Sequence, residues 1–316
     1  MDLSILIVNW NTRDYTTDCL QSLAATADRI ELDPIDHPRL IYRCYQAEVF
    51  VVDNASHDGS VALIRERFPW VKIIENDQNI GFAPANNQAY HRSTGRYVLL
   101  LNSDTEVHPQ AMTALLDYMD AHPRCGAGGA QLLNADGSLQ PACHPMLTPW
   151  REFWRLIFLE QIWHRATYDM AHWDATTPRR VEVIKGACLI ARRAALDQHG
   201  LLLDEQYFMY TEEVDLCYRL LRDGWELDWI PQAIVTHYGG ASSNQAYTTM
   251  YVQLYRSKVQ FYRKFGGESR ARQFKTLLRF AYWPRWQVST IRARFKPALT
   301  DRALTFRRLL DELPGM

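Results

Sequence analysis

The chain has 316 residues, of which 47% are hydrophobic and 22% charged, which excludes a disordered chain and allows one large domain with additions. Its formal net charge of −1 at pH 7 gives no global reason to expect a nucleic-acid partner. Six scattered cysteines without a C-x-x-C pair predict reduced, mostly buried thiols in a cytosolic protein.

Three short apolar runs in the first third of the chain end in polar residues. They are "LSILIVNWN" (3–11), "AEVFVVDNAS" (47–56) and "GRYVLLLNSD" (95–104). Runs of this kind predict strands buried on both faces. Helical patterns over 15–27 and 59–68 lie between them, and a further strand is predicted over 71–76. Such alternation is typical of an α/β fold with a doubly wound, mostly parallel sheet.

The polar residues that follow these strands should meet at one edge of the sheet, because ligands bind beyond the carboxyl ends of parallel strands. The residues expected to line this crevice are Asn9, Asp53, Asn54, Asn102 and Asp104. A structural alternative is turn chemistry, in which Asp104 or Thr105 caps a following helix.

The second half of the chain predicts a more irregular order of elements. A helix is expected over 108–123, a strand and a hairpin around "NADGS" (134–138), and a strand entering a helix over 182–196. A loop and a helix ending at Gly224 should follow, and then two strands and a Gly/Ser loop within 226–243.

We predict one main domain over 1–245 and a helical extension over 246–316. The domain would divide into two halves, about 1–106 and about 107–245. Four tryptophans lie in the second half among Arg and His, at Trp150, Trp154, Trp163 and Trp173.

Several common catalytic motifs are missing from the sequence. There is no G-x-G-x-x-G after the first strand, no G-x-x-x-x-G-K-[ST] and no G-x-S-x-G. What remains is a crevice of carboxylates and amides, whose oxygens suit a divalent cation that would stabilise a departing diphosphate.

Seven sequence blocks occur in the order found in glycosyltransferase family 2, and the chain resembles the rhamnosyltransferase-type members of that family. The blocks are "ILIVNWNTRDYTTDCLQSL", "VFVVDNASHDGS", "NIGFAPANNQAY", "YVLLLNSDTEV", "KGACLIARRAAL", "FMYTEEVDLCYRL" and "WIPQAIVTHYGGAS". The resemblance implies a GT-A, Rossmann-like fold, a nucleotide-sugar donor, a Mg²⁺ or Mn²⁺ ion and inversion at the anomeric carbon. It also implies that 1–245 is the catalytic domain, with a nucleotide-sugar half over about 1–106 and an acceptor half over about 107–245.

The resemblance also implies which residues hold the donor. The nucleotide-sugar residues would be Val8, Asn9, Trp10, Asp53, Asn54, Asn79, Gly81, Phe82, Asn86, Asn102 and Ser103. "NSD" stands at the position of the D-x-D motif of the family, so Asp104 would be the main metal ligand, and His237 would complete the coordination. An amide at Asn102 is a weaker ligand than a carboxylate.

The catalytic base is expected in "TEEVDLCYR". Glu213 stands where the base of the family lies, and Glu212 and Asp215 beside it are the other two predicted catalytic residues. A carboxylate there would take the proton of the attacking hydroxyl, and crowding of three acids should raise one pKa. The acids could instead favour the helix dipole, and Asp215 could hold Arg219 four residues later. Lys185 and Gly186 are expected on the acceptor side.

The C-terminal segment is locally basic, with 11 Lys/Arg against 4 Asp/Glu from Glu268 to Met316. Basic amphipathic helices with Trp can lie in the headgroup layer of a membrane. The alternative is a helical pair that packs on the catalytic domain or on a second subunit of a homodimer. No run of about 18 apolar residues predicts a membrane-spanning helix, so attachment would be peripheral, on the inner face of a bacterial plasma membrane.

The sequence thus predicts an inverting, metal-dependent glycosyltransferase of cell-surface polysaccharide synthesis. Its first expected donor is dTDP-L-rhamnose, and its acceptor a glycan or a polyprenyl-diphosphate-linked glycan. The alternatives are a nucleotidyltransferase, which would normally carry a Gly-rich loop after the first strand, and a non-catalytic nucleotide-sugar-binding module.

Overall fold

A computed structural model describes residues 1–32, 38–157, 166–240 and 246–316 of the chain. Trp163 and the end of the predicted Gly/Ser loop lie outside these residues. The strands are β1 (Leu3–Asn9), β2 (Arg29–Glu31), β3 (Arg39–Tyr42), β4 (Tyr45–Asp53), β5 (Val71–Glu75), β6 (Tyr97–Leu101), β7 (Thr105–Val107), β8 (Cys125–Leu133), β9 (Leu139–Gln140), β10 (Cys143–His144), β11 (Arg179–Arg180), β12 (Val183–Ile184), β13 (Cys188–Arg192) and β14 (Glu226–His237). The helices are α1 (Arg13–Thr26), α2 (Ser60–Arg67), α3 (Phe82–Arg92), α4 (Ala111–Ala121), α5 (Pro149–Leu156), α6 (Arg193–Leu196), α7 (Glu212–Arg222), α8 (Tyr247–Ala293) and α9 (Thr300–Glu312).

Parallel strands form the centre of the main sheet. β1 pairs in parallel with β4 on one side and with β6 on the other, and β5 extends β4. All five residues of β6 are buried, as expected for a strand covered on both faces. The register sets Asn9 beside Asp53, so the polar strand ends lie next to one another. The predicted α/β fold class is confirmed.

Antiparallel pairs extend this centre toward the second half of the chain. β13 lies between β6 and β8 and is antiparallel to both. β14 then runs parallel to β8, and its last residues pair antiparallel with β7. This last pairing brings His237 opposite Thr105, one residue after Asp104.

Two local predictions were wrong, and two strands were missed. The region 226–237 is one strand, β14, rather than two; its register against β8 shifts between Ile230 and Ile234, where Pro231 cannot donate a ladder hydrogen bond. Thr105 begins the strand β7, so neither Asp104 nor Thr105 caps a helix. The antiparallel strands β2 and β3 were not predicted.

The chain divides into two compact units. The first comprises Met1–His144, Asp169–Phe208 and Glu212–Ser242, and the second comprises Pro145–Tyr168, Met209–Thr211 and Ser243–Met316. The first unit contains the main sheet. The predicted domain boundary at 245 stays a prediction.

Helices α5, α8 and α9 make up most of the described second unit, and α8 and α9 confirm that the C-terminal segment is helical. Helix α8 is two helical segments, because Gly267 between them has φ 73° and ψ 177°. None of the helices described is long and apolar enough to cross a membrane. All six cysteines lie in described ranges and are free thiols, five of them buried and Cys44 exposed, which confirms the prediction of unpaired, mostly buried cysteines.

Candidate active site

Asn9 joins the carboxyl ends of β1 and β4. Its Nδ2 lies 2.7 Å from Asp53 Oδ1 and 2.8 Å from Ser60 Oγ, and its Oδ1 accepts from the hydroxyls of Thr12 and Thr16 at 2.8 and 2.7 Å. The side chain is 0% exposed. Because every polar atom of the amide is held inside the protein, Asn9 braces the strand ends rather than facing a ligand.

The nucleotide-sugar-binding role predicted for Asn9 therefore does not fit the position of its side chain. Successive side chains of a strand point to opposite faces. Val8 and Trp10 are both partly exposed, whereas Asn9 between them is buried. The structure thus leaves Val8 and Trp10 available to line a pocket, with Asn9 behind them.

Asp53 and Asn54 follow β4 and connect it to the loop before α3. Asp53 Oδ2 accepts from the Ser56 backbone N–H at 2.9 Å, so each of its oxygens has a protein donor and one further lone pair. Asn54 Nδ2 donates to the carbonyl of Gly81 at 3.1 Å. Asn54 therefore holds the loop against the strand end.

The loop around Gly81 is tightly fixed. Asn79 Oδ1 accepts from the Gly81 N–H at 3.0 Å, and the Phe82 N–H donates to the carbonyl of Phe208 at 2.7 Å. Gly81 has φ 96°, and a Cβ there would lie 2.6 Å from the Phe208 carbonyl oxygen. Asn86 donates to the Phe82 carbonyl at 2.9 Å, and its buried Oδ1 has no hydrogen-bond partner among the described residues.

The segment Asn102–Asp104 follows the buried strand β6. Ser103 Oγ lies 3.1 Å from Thr12 Oγ1, which connects this segment to the Asn9 network. The Tyr238 N–H donates to the carbonyl of Asp104 at 3.0 Å, so the β7–β14 pairing continues one residue further. As a result His237 Nε2 lies 3.3 Å from Asp104 Oδ1 and 3.2 Å from Asn102 Nδ2.

Gln140 fixes the tautomer of His237. Gln140 Nε2 donates to the carbonyl of His237 at 3.0 Å and to Asn134 Oδ1 at 2.9 Å, so its Oε1 must be the atom that lies 2.7 Å from His237 Nδ1. That oxygen only accepts, and Nδ1 therefore carries a proton. In a neutral imidazole the lone pair is then on Nε2, which faces Asp104.

The Asp104 carboxylate and the His237 Nε2 lone pair fit a divalent cation. Ligands about 2.1 Å from an octahedral ion lie roughly 3 Å from each other, close to the 3.3 Å between Oδ1 and Nε2. Over the ranges that the structure describes, no three His, Cys, Asp or Glu side chains group together in a way that could hold a metal. Two protein ligands and the neighbouring Asn102 would leave most coordination positions to a substrate and water.

The three acids of α7 occupy different environments. Asp215 is 0% exposed and accepts from Arg219 Nε at 2.7 Å and from the Tyr207 hydroxyl at 3.3 Å. The predicted ion pair with Arg219 is confirmed, and a carboxylate enclosed in this way does not fit the catalytic role also predicted for Asp215. Glu213 is partly exposed.

Glu212 is buried, and its Oε2 has no partner among the described residues. Burial, and then the neighbouring Glu213 carboxylate, raise the pKa of Glu212 well above its ordinary value. The expected crowding effect therefore falls on Glu212, and its burial does not fit the catalytic role also predicted for it.

The segment Lys185–Ala187 links the Asn102 region to α7. The Asn102 N–H donates to the carbonyl of Ala187 at 3.0 Å. A Cβ at Gly186 would lie 3.7 Å from the Cβ of Glu213, and Lys185 is partly exposed beside it. Through these contacts Glu213 and the Asn102–Asp104 segment lie at the same edge of the sheet.

Sequence reasoning missed the residues that support this site. Thr12 and Thr16 brace Asn9, and Gln140 orients His237. The two threonines are one helical turn apart just after β1, a spacing that could have indicated a shared partner. No sequence pattern indicates the role of Gln140, because that role depends on the contact of β9 with the end of β14.

Comparison with known proteins agrees with this geometry. Residues 4–141 match glycosyl transferase family 2. An N-acetylglucosaminyl-diphospho-decaprenol L-rhamnosyltransferase of Mycobacterium tuberculosis is 31% identical over 211 residues, which cover 62% of this chain and 68% of that protein. A low-salt glycan biosynthesis hexosyltransferase of Haloferax volcanii is 23% identical over 230 residues, 70% of this chain and 62% of that protein.

Two solved structures resemble the chain over nearly all of its length. TarS 1–349 of S. aureus has a TM-score of 0.52 at 14% identity, covering 100% of this chain and 92% of that one. The mannosyltransferase PcManGT of Pyrobaculum calidifontis, solved with GDP-Man and Mn²⁺, has a TM-score of 0.54 at 15% identity. The match covers 98% of this chain and 84% of that one. The fold is that of the GT-A glycosyltransferases. The chain belongs to glycosyl transferase family 2.

Proposed function

We propose that the chain is an inverting, metal-dependent glycosyltransferase that transfers a sugar from a nucleotide donor to a polyprenyl-diphosphate-linked glycan. The observation that carries the proposal is the facing pair of Asp104 Oδ1 and His237 Nε2, 3.3 Å apart at the carboxyl edge of the parallel strands. This edge is where α/β folds bind their ligands. L-Rhamnose from dTDP-L-rhamnose is the first donor to test, since the relative from Mycobacterium tuberculosis is a rhamnosyltransferase.

The donor would lie along the strand ends. Val8, Trp10 and Asp53 would meet the nucleoside, with the spare lone pairs of the Asp53 carboxylate accepting from the base. Asn54 and Asn79 keep the Gly81 loop in place, so that its backbone and Phe82 can lie against the ribose and the diphosphate. Asn86 has a buried oxygen to offer there.

Asp104 and His237 would hold Mg²⁺ or Mn²⁺, with Asn102 and Ser103 beside them. When bound, such an ion supplies positive charge that stabilises the departing diphosphate. The mannosyltransferase PcManGT is known with Mn²⁺ and a nucleotide sugar. The Gln140 contact keeps the Nε2 lone pair of His237 directed toward Asp104.

Glu213 would act as the general base. The acceptor hydroxyl loses its proton to the Glu213 carboxylate as its oxygen forms the new bond to the anomeric carbon. The bond from that carbon to the diphosphate oxygen breaks on the opposite face, so the configuration inverts. Burial, and then the Glu213 carboxylate, hold the pKa of the neighbouring Glu212 well above its ordinary value. Lys185 and Gly186 would border the acceptor.

The acceptor and the location follow from the relatives as further parts of the proposal. The protein from Mycobacterium tuberculosis acts, by its name, on a diphospho-decaprenol substrate. A lipid-linked acceptor would place this enzyme on the inner face of a plasma membrane, in cell-surface polysaccharide synthesis, with peripheral attachment.

The test is a panel of nucleotide sugars, assayed for metal-dependent transfer or hydrolysis. The wild type should prefer one donor, and Asp104→Asn should reduce turnover at least a hundredfold. Glu106→Gln is the matched control, because Glu106 is exposed on β7 two residues away, and it should retain turnover. A metal-dependent nucleotidyl transfer, or donor binding without any turnover, would contradict the proposal in favour of a nucleotidyltransferase or a binding module.

A further inference from the structure

The C-terminal half of α8 carries two separate apolar faces. One face is buried and consists of Ala271, Phe274, Leu278, Ala281 and Tyr282. The ring of Tyr282 lies 5.3 Å from that of Phe306 and 5.4 Å from that of Tyr255, so this face packs inside the second unit. The buried face therefore holds the helix to the rest of the second unit.

The other apolar face is exposed. Phe280, Trp283, Val288 and Ile291 are 67%, 55%, 47% and 56% exposed, and Phe295, just after the helix, is 82% exposed. At 3.6 residues per turn the first four fall within an arc of roughly 140°, opposite the buried face. We call these five residues the apolar stripe. Large exposed apolar patches mark interaction surfaces.

Cations surround the apolar stripe without any acid among them. From Ser269 to Thr300 the sequence contains 8 Lys/Arg and no Asp/Glu. Arg279, Arg292, Arg294 and Lys296 are exposed, and none of them pairs with a carboxylate anywhere in the described residues. A partner for this surface must therefore combine apolar groups with negative charge.

We propose that the apolar stripe and its flanking cations form a membrane-contacting surface that lies in the headgroup layer of an anionic bilayer. Aromatic and aliphatic side chains would enter the acyl boundary, and the flanking arginines would meet lipid phosphates. The inference rests on the proposed function, since a lipid-linked acceptor is what would keep this enzyme at a bilayer. A second copy of the chain is a poorer partner, because a two-fold contact would set this basic surface against itself.

The experiment is flotation of the full chain with vesicles. Wild type should float with phosphatidylcholine vesicles that contain one third phosphatidylglycerol, and much less with phosphatidylcholine alone. The double variant Trp283→Glu/Phe295→Glu should reduce the bound fraction at least tenfold. The matched control is Ile30→Glu/Leu32→Glu, which alters two exposed apolar residues of the first unit, 39% and 56% exposed, and should float like wild type.

Charge is tested in the same way. Arg292→Gln/Arg294→Gln should weaken binding to the anionic vesicles more than tenfold, since each cation near such a surface contributes about a factor of five. Arg67→Gln/Arg92→Gln removes two exposed cations elsewhere and should change binding little. Unchanged melting temperatures would confirm that all four variants fold.

Three results would overturn the inference. The first is a wild type that does not bind the anionic vesicles, and the second is a stripe variant that floats as well as its control. The third is a wild type that is a dimer by analytical ultracentrifugation and a stripe variant that is a monomer, with neither protein floating. Donor hydrolysis separates this inference from the proposed function: flotation without any turnover contradicts only the function, and turnover without flotation contradicts only the surface.

Discussion

A neutral histidine offers one nitrogen to a cation, and the partner of its other nitrogen decides which one. In this chain the partner is Gln140, whose amide is itself oriented by the carbonyl of His237 and by Asn134. The hairpin that carries Gln140 therefore sets the chemistry of a residue 97 positions later.

Gln140→Leu should weaken metal activation without removing the metal ligands. With no acceptor at Nδ1, the His237 ring can rotate or change tautomer, and the Mn²⁺ concentration for half-maximal donor hydrolysis should rise about tenfold or more. Gln140→Glu retains an acceptor for the Nδ1 proton and should recover most of the metal affinity. A Mn²⁺ titration that gives the same midpoint for wild type and Gln140→Leu would contradict this role.

The buried Glu212 leads to a prediction about the pH dependence of stability. Burial raises its pKa above the ordinary value of 4.5, so the folded protein retains a proton that the unfolded chain loses. The contribution of this group to stability is thus complete below pH 4.5 and declines as the pH rises toward the higher folded pKa. Glu212→Gln cannot ionise and should give a flatter plot of melting temperature against pH above pH 4.5.

The control for this measurement is Glu66→Gln, which alters an exposed glutamate on α2 and should leave the slope unchanged. Parallel curves for wild type and Glu212→Gln would mean that Glu212 is charged in the folded protein.

Among the elements, the loop before α3 depends most on one residue type. Gly81 has a positive φ, and a Cβ there would lie 2.6 Å from the Phe208 carbonyl oxygen, so an added methyl group has no room. Asn54 ties the same loop to the end of β4, and Asn79 accepts from the Gly81 N–H within the loop. Displacing it would disturb the proposed donor contacts.

Gly81→Ala should raise the KM for the nucleotide sugar. It should also lower the free energy of unfolding by more than the control variant Gly137→Ala does. Gly137 also has a positive φ, 80°, but a Cβ there would meet nothing within 4 Å. The control variant should therefore show only the backbone strain of about 1 to 2 kcal/mol. Urea unfolding and donor kinetics measure both effects, and equal losses in the two variants would contradict the steric argument.

The elements that could be predicted from the sequence are those with strong local patterns. β1, β4 and β6 are continuous apolar runs, and α4 has a clear helical period. The strands β2, β3 and β7 are three or four residues long and exist because of their partners, so local propensity did not indicate them. Two strands were predicted where β14 is one, since the pairing with β8 that resumes at Ile234, after Pro231, depends on a distant strand.

At the scale of the whole molecule, the candidate site is assembled from distant parts of the first unit. Asp104 lies between β6 and β7, His237 is the last residue of β14, and Glu213 is the second residue of α7. The sequence could place polar residues at strand ends by topology. It could not show that Asn9 and Asp215 point inward, because burial of a side chain depends on the strand or helix packed against it.

The most direct test of the central claim is calorimetric binding of dTDP with and without Mn²⁺ to wild type, Asp104→Asn and Glu213→Gln. The account predicts that Glu213→Gln binds the nucleotide with the wild-type Mn²⁺ dependence yet transfers no sugar, and that Asp104→Asn loses the Mn²⁺-dependent part of binding. Undiminished Mn²⁺-dependent binding to Asp104→Asn, or full transfer by Glu213→Gln, would contradict it.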